Sequence, residues 1–167
     1  MVDLWIISDT HFGHANIIKY CDRPFKSAEL MDETILANWN DTVRDNDIIY
    51  HLGDVYFRNP QILYALKGRK HLLLGNHDNG RCQHLQATFR KIGIWRKFPP
   101  LLLSHIPVHP GTLETNQCQF NVHGHTHNRN LQDQHYINVS VEQTGYKPIH
   151  IDEVIAIAAA RRVQLGK

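Results

Sequence analysis

No apolar run in this sequence approaches the roughly 20 residues needed to cross a bilayer. Cysteine is nearly as scarce. The three, Cys21, Cys82 and Cys118, have no metal-like spacing, and an odd number leaves no complete disulfide set, so reduced thiols are the expectation. Low-complexity tracts, internal repeats and a second composition regime are also missing, which leaves one domain over residues 1–167. A chain of that size buries roughly two thirds of its unfolded surface. Neither sign of charge dominates. The formal net charge is +2, so strong non-specific attraction to nucleic acid is not expected. The basic pairs Arg69-Lys70, Arg96-Lys97 and Arg161-Arg162 read as solvated faces. At the N-terminus Asp3 interrupts what would be the apolar part of a secretion signal, and no cleavage-like site follows. The expectation is a soluble, cytoplasmic protein without a membrane partner.

Histidine, by contrast, is abundant: thirteen residues. Six of them, His11, His77, His105, His123, His125 and His127, fall in short polar clusters that follow apolar runs. Leu72-Leu73-Leu74 leads into Gly75-Asn76-His77-Asp78, Leu4 to Ile7 into Ser8-Asp9-Thr10-His11, and Ile48 to Leu52 into Gly53-Asp54. Leu101 to Leu103 leads into Ser104-His105, and Phe120 to Val122 into His123-Gly124-His125-Thr126-His127. Each run reads as a buried strand, and the C-terminal edge of an α/β sheet is where ligands bind. Asp9 and His11 are two residues apart, so an extended backbone would turn both toward one point, while His125 and His127, as alternate residues of an extended segment, could serve one metal each.

Helical signals alternate with these strands, which places the fold in the α/β class. Residues 15 to 20 suggest a helical turn. Ser27 is a plausible N-cap for a helix whose Met31, Ile35, Trp39 and Val43 face the core at every fourth residue. Pro60 fits the first turn of a helix carrying Ile62, Leu63 and Leu66, capped by Gly68. Leu85, Phe89 and Ile92 predict another helix, ended by Gly93. A Pro- and Gly-containing loop follows His105, further strands take in Tyr136 to Val141, and Val154 to Arg162 reads as a terminal helix. Trp5, Trp39 and Trp95 are expected in the core, and His51 as a satisfied interior residue.

The strand-end inventory is Asp9, His11, Asp54, Asn76, His105, His125 and His127. Imidazole nitrogens mixed with carboxylate oxygens suit Mn, Fe, Zn or Ni, and the lack of thiolate argues against a closed structural zinc site. Seven such groups exceed the needs of one ion but serve two if a carboxylate bridges. Asp54 is the natural bridge, since a carboxylate offers four lone-pair directions. Two ions about 3.5–4 Å apart can share a hydroxide nucleophile and clamp phosphate oxygens.

The blocks Asp9-x-His11, Gly53-Asp54, Gly75-Asn76-His77-Asp78, His105 and Gly124-His125-Thr126-His127 resemble, in order, the signature of the calcineurin-like metallophosphoesterase family. The resemblance runs from residue 9 to 127, with loose similarity continuing through Asn138-Val139 to Pro148. It implies a two-sheet β-sandwich flanked by helices (four layers, α/β/β/α) and a dinuclear site, with manganese favoured. One ion would take Asp9, His11, Asp54 and His127, the other Asp54, Asn76, His105 and His125. His77 matches the family's non-ligand histidine, which contacts the substrate phosphate and acts as general acid. Asp78 would keep that imidazole charged. His14 lies outside the signature and either reaches substrate or packs its loop. His123 is expected to support the ligands from its strand, and Arg23 and Arg58 are candidates for a phosphate fork.

The implied activity is hydrolysis of phosphodiesters, and of monoesters as a further option, on a small phosphoester or nucleotide substrate. Two alternatives stand beside it: a nuclease or RNA-end processing enzyme using the same site, and a non-catalytic scaffold for a protein partner. The nuclease needs a basic or aromatic track to the metals, and the sequence shows only scattered arginines.

Overall fold

The computed structural model describes residues 2–166. In chain order its elements are β1 (Leu4–Ile7), α1 (Ala15–Tyr20), α2 (Ala28–Thr42), β2 (Ile48–His51), a 3-10 turn (Pro60–Ala65), β3 (Arg69–Leu73) and α3 (Gln83–Thr88). There follow β4 (Lys91–Gly93), β5 (Trp95–Phe98), β6 (Leu101–Ser104), α4 (Pro110–Thr115), β7 (Phe120–His123), β8 (Tyr136–Asn138), α5 (Val141–Thr144), β9 (Ile149–His150) and α6 (Ile151–Gln164). The architecture is mixed α/β with two sheets, ordered β4-β3-β2-β1-β9 and β5-β6-β7-β8. β1 to β4 run parallel, as do β6 to β8, while β9 and β5 are antiparallel edges. No helix among the described residues is long and apolar enough to cross a membrane.

Parallel strands covered on both faces must be apolar throughout, and β1 shows why. Ile7 joins a cluster with Met31, Ile35, Trp39 and Val43 of α2 and its C-cap, whereas its neighbour Ile6 joins Leu103, Phe120 and Val122 of the other sheet. The second cluster therefore fills the space between the sheets, with Val154 and Ala158 of α6 closing it. Trp39 is fully buried and its indole N–H donates to the Lys67 carbonyl at 3.0 Å, so its polar atom is satisfied. Ser27 caps α2 by accepting from the Leu30 N–H. Burial of each large side chain in these clusters contributes about 1.5–3 kcal/mol.

Several expectations are corrected. The segment after Pro60 is a 3-10 turn, and Gly68 (φ +91°) turns the chain into β3 rather than capping a helix. The helix through Leu85 stops at Thr88. Phe89 is extended and the Arg90 N–H donates to the Lys70 carbonyl, so pairing with the free edge of β3 takes over and Ile92 becomes part of a strand. The loop after His105 contains α4, and Val141 begins α5 instead of ending a strand. Trp95 is not core. It sits on edge strand β5 and is 48% exposed.

Candidate metal centre

The C-terminal ends of β1, β2, β3, β6 and β7 deliver the seven sequence-predicted ligands to one place. The loops are laced together by backbone bonds: Asp9 N–H to Gly53 O, His11 N–H to Asp54 O, and Gly124 N–H to His105 O, all 3.0–3.1 Å. The backbone is not extended, as the two-residue spacing suggested. Asp9, His11, Asp54, His125 and His127 all lie in the left-handed region, with φ between 51° and 67°. Alternating left-handed residues curl each loop back on itself, so both members of a pair reach the site without a strand. Non-glycine residues held there cost of order 1–3 kcal/mol each, and such strain gathers at functional sites. Two glycines permit the close approach. A Cβ on Gly75 would strike the Asp54 carboxylate, and one on Gly124 would strike the Asp9 carboxylate and the Ser8 hydroxyl.

Ligand atoms of Asp9, His11 and His127 all lie within 4.8 Å of one another, and so do those of Asp54, His105 and His125. Each group of three could hold a metal ion. His11 Nε2 is buried without a hydrogen-bond partner, 3.6 Å from Asp54 Oδ2 and 3.9 Å from Asp9 Oδ1. His105 Nε2 lies 3.4 Å from Asp54 Oδ2, and His127 Nε2 3.8 Å from Asp9 Oδ1. Atoms each about 2 Å from a shared ion stand roughly 3–4 Å apart, so these gaps fit bridging cations better than direct hydrogen bonds. Asn76 Oδ1 completes the group 2.9 Å from His105 Nε2.

Supporting contacts fix which nitrogen faces inward. His105 Nδ1 is 2.8 Å from the Leu52 carbonyl and His127 Nδ1 is 3.0 Å from Glu142 Oε1, so each Nδ1 carries the proton and frees Nε2 for the site. His11 Nδ1 is 3.2 Å from His14 Nδ1. The charges respond to this crowding. Burial raises the Asp9 pKa, with His105 and His127 partly opposing it. Burial also works against ionised Asp54, yet the neighbouring His105 imidazole and the His77 backbone N–H hold it below the usual carboxylate range. His11 is lowered to about 2 by burial and by the Arg23 charge, which keeps it neutral and ligand-competent.

His77 stands exposed at the lip, its ring centroid 5.9 Å from that of His11 and 5.0 Å from Phe57. The expected role of Asp78 is corrected. Its carboxylate accepts the backbone N–H groups of Asp54 and Gly75 (both 2.8 Å) and Val55 (3.0 Å), tying the second and third loops together instead of pairing with the His77 imidazole. Arg23 is no phosphate fork either. It is 4% exposed, and its guanidinium donates to the Asp9 and Thr10 carbonyls and to Glu142. Arg58 is exposed on the loop that abuts Gly13. His14 stacks on Phe57 with centroids 3.9 Å apart while holding His11, so its packing role is the one observed.

His51 is satisfied inside β2. Its Nδ1 accepts the Gly53 N–H, which places the proton on Nε2 facing Thr10 Oγ1, and that hydroxyl donates to the Val55 carbonyl. His123 is buried in β7, with Nδ1 2.8 Å from the Gly124 carbonyl. Glu142 was missed. A carboxylate in the first turn of a short helix reads only as a response to the helix dipole, and nothing local distinguishes it. Cys21 was missed too, brought within 4.8 Å of the facing atoms of His127 and Glu142 by the end of α1.

No family model matches the sequence. The chain is 38% identical to the uncharacterized protein MJ1445 of Methanocaldococcus jannaschii, with 98% of this chain and 95% of that protein aligned. It is 27% identical to the Gene 66 protein of Mycobacterium phage L5, over 87% of this chain and 89% of that one. Among solved structures it is similar to AQ665 of Aquifex aeolicus, a protein of unknown function. There the TM-score is 0.75 at 29% identity, covering 94% of this chain and all of that one.

Proposed function

We propose that this chain, which belongs to the same family as the uncharacterized archaeal protein MJ1445, is a metal-dependent phosphoesterase that hydrolyses phosphodiesters. The observation that carries this reading is the His11 Nε2 atom, buried and unpartnered between the carboxylates of Asp9 and Asp54. A nitrogen so placed wants a cation, and it stands among six further oxygen and nitrogen donors. The two sheets with a shared apolar interior support the calcineurin-like metallophosphoesterase fold that the signature suggests. Asp9, His11, Asp54 and His127 would hold one divalent ion and Asp54, Asn76, His105 and His125 the other, a donor set suited to Mn, Fe, Zn or Ni. When bound, such a pair supplies Lewis-acid neutralisation of phosphoryl charge and lowers the pKa of water.

The chain's own groups supply the rest. Asp78 and the glycines hold the Asp54 and Asn76 loops in register, so the donors are set before substrate arrives. His77 is free of the ligand set and exposed, which lets it bind a phosphoryl oxygen and pass a proton to the leaving group. Phe57 and His14 wall the lip beside it. Hydrolysis of bis-p-nitrophenyl phosphate in added Mn²⁺, with and without chelator, tests the reading. Turnover should vanish with chelator and fall at least about 100-fold in Asp54→Asn, as expected on losing a bridging charge. Absence of turnover with Mn, Fe, Zn and Ni alike, or an unaffected Asp54→Asn, would refute it.

A further inference from the structure

The edge where the two sheets meet carries a feature that the phosphoesterase reading does not use. β4 and β5 are successive edge strands of different sheets, joined by Ile94, and the cleft between them is about 180 Å³. Tyr50 and His71 lie in it, and Lys91, Trp95 and Arg96 border it. His71 is shifted down by burial and then by Lys91, Arg96, Arg90 and Arg69, which shows how many cations converge here. Arg69 Nε and His71 Nδ1 are buried without a hydrogen-bond partner. Among the described residues none of Arg69, Arg90, Lys91, Arg96 or Lys97 has a carboxylate within ion-pair distance. In a chain whose formal net charge is only +2, such an unneutralised group is a local exception.

Position connects the feature to the metal centre. Trp95 pairs with Ser104, the residue before His105, and the Leu74 N–H donates to the Gly93 carbonyl two residues before Asn76. From Trp95 the strand leads away through Arg96 and Lys97, opposite Leu103 and Leu102. Arg96 lies 5.0 Å over the Phe98 ring and, like Lys97, has no carboxylate partner among the described residues. An exposed indole near the site is thus followed by unneutralised cations, which together form a stacking platform with an electrostatic track. We propose that this edge binds a single-stranded nucleic acid, its phosphates along Arg90, Lys91, Arg96 and Lys97 and one base stacked on Trp95. Resting on the phosphoesterase reading, this makes an oligonucleotide the substrate, its scissile phosphodiester lying at the metal centre.

Fluorescence anisotropy of the full chain with a labelled 12-nucleotide single strand, DNA and RNA in turn, tests the proposal in chelator, where hydrolysis plays no part. Four phosphate contacts on a single strand give a slope of about −3 in log K against log salt, so affinity should fall roughly 50-fold between 50 and 200 mM. Trp95→Ala should weaken binding about ten-fold. Replacing Arg90, Lys91, Arg96 and Lys97 together by Gln should abolish the salt dependence, while Arg44→Gln and Lys147→Gln, exposed elsewhere, should not. All variants are checked by circular dichroism and thermal melting. Affinity for duplex or poly-glutamate equal to that for the single strand would overturn the proposal, as would binding indifferent to both sets of substitutions. Failure of this binding beside turnover of bis-p-nitrophenyl phosphate would sink the nucleic-acid assignment alone. Binding beside no turnover would sink only the phosphoesterase.

Discussion

Replacing Glu142 by Gln separates two roles that one carboxylate holds. Its Oε1 is 2.7 Å from Arg23 Nη2 and 3.0 Å from His127 Nδ1, and the side chain is 5% exposed. Burial opposes ionisation, but the hydrogen bond to His127 and the Arg23 charge keep Glu142 ionised, below its ordinary pKa. Gln keeps an oxygen for the His127 proton and removes the charge. Arg23 is then a buried cation without a counter-charge, and breaking such a pair costs on the order of 3 kcal/mol. That loss is read from urea denaturation of the metal-free protein. The second consequence falls on His127, whose Nε2 loses basicity when the acceptor behind Nδ1 loses its charge. Changes of this kind lower metal affinity about 10- to 100-fold. Competition for Mn²⁺ or Zn²⁺ against a chelating dye measures it, and a double-mutant cycle assigns it. In a His127→Ala background the Glu142→Gln change should cost no further affinity. If affinity stays within a factor of two while stability falls, Glu142 serves Arg23 alone and the argument for His127 fails.

Two further outcomes follow from the same geometry. His51 has a folded pKa of about 3, set by burial, against the ordinary 6.5, so between those values the unfolded chain binds a proton that the folded one excludes. Its stabilisation is whole above about pH 6.5 and is lost as pH falls toward 3. The loss reaches roughly 3 kcal/mol by pH 4.5, and urea midpoints should show a smaller acid loss in His51→Gln. Gly124→Ala should deplete the metal content of purified protein as read by elemental analysis, because the new methyl displaces the Asp9 carboxylate. Retention of full metal occupancy would mean that Asp9 is not a ligand.

What could be read in advance depended on whether the signal was local. The five strands announced themselves by the apolar residues that burial demands where they run into the site, although β3 begins earlier, at Arg69, with three polar residues that no apolar run marks. α2 did so because Ser27 and a four-residue stripe are properties of a single segment. Element ends escaped where a neighbour decided them. Phe89 leaves its helix for the free edge of β3, an interaction with a strand about twenty residues earlier that no helical pattern encodes. Arg23 was misjudged for the same reason, since its value as a phosphate ligand depended on Glu142, 119 residues away. Trp95 shows the converse. A tryptophan reads as core by its size and apolar surface, but a strand at a sheet edge has only one neighbour to cover it.

The left-handed loops carry the deepest difference between sequence and structure. A two-residue spacing such as Asp9-x-His11 fits a strand, yet the chain adopts a backbone that ordinary side chains avoid. What holds it there is not propensity but the lattice of contacts across loops. His125 N–H donates to both Asp9 oxygens at 3.0 and 3.1 Å, Asp78 accepts from three backbone groups, and the Ser140 hydroxyl reaches Asp9 Oδ2 at 3.0 Å. Asp9, and likewise Asp54, whose Oδ1 accepts the His77 N–H at 3.0 Å, is thus both a candidate metal donor and the acceptor that keeps a strained loop in place. This double duty explains the short glycine motifs. Gly75 and Gly124 are needed because the carboxylate that fixes the neighbouring loop occupies the space where their side chains would be. It follows that substituting a candidate ligand here perturbs the fold as well as the site. Loss of activity in Asp9 variants therefore says nothing about coordination unless the loop geometry is checked beside it, whereas the imidazole of His125, exposed and with no side-chain hydrogen bond among the described residues, offers the cleaner test.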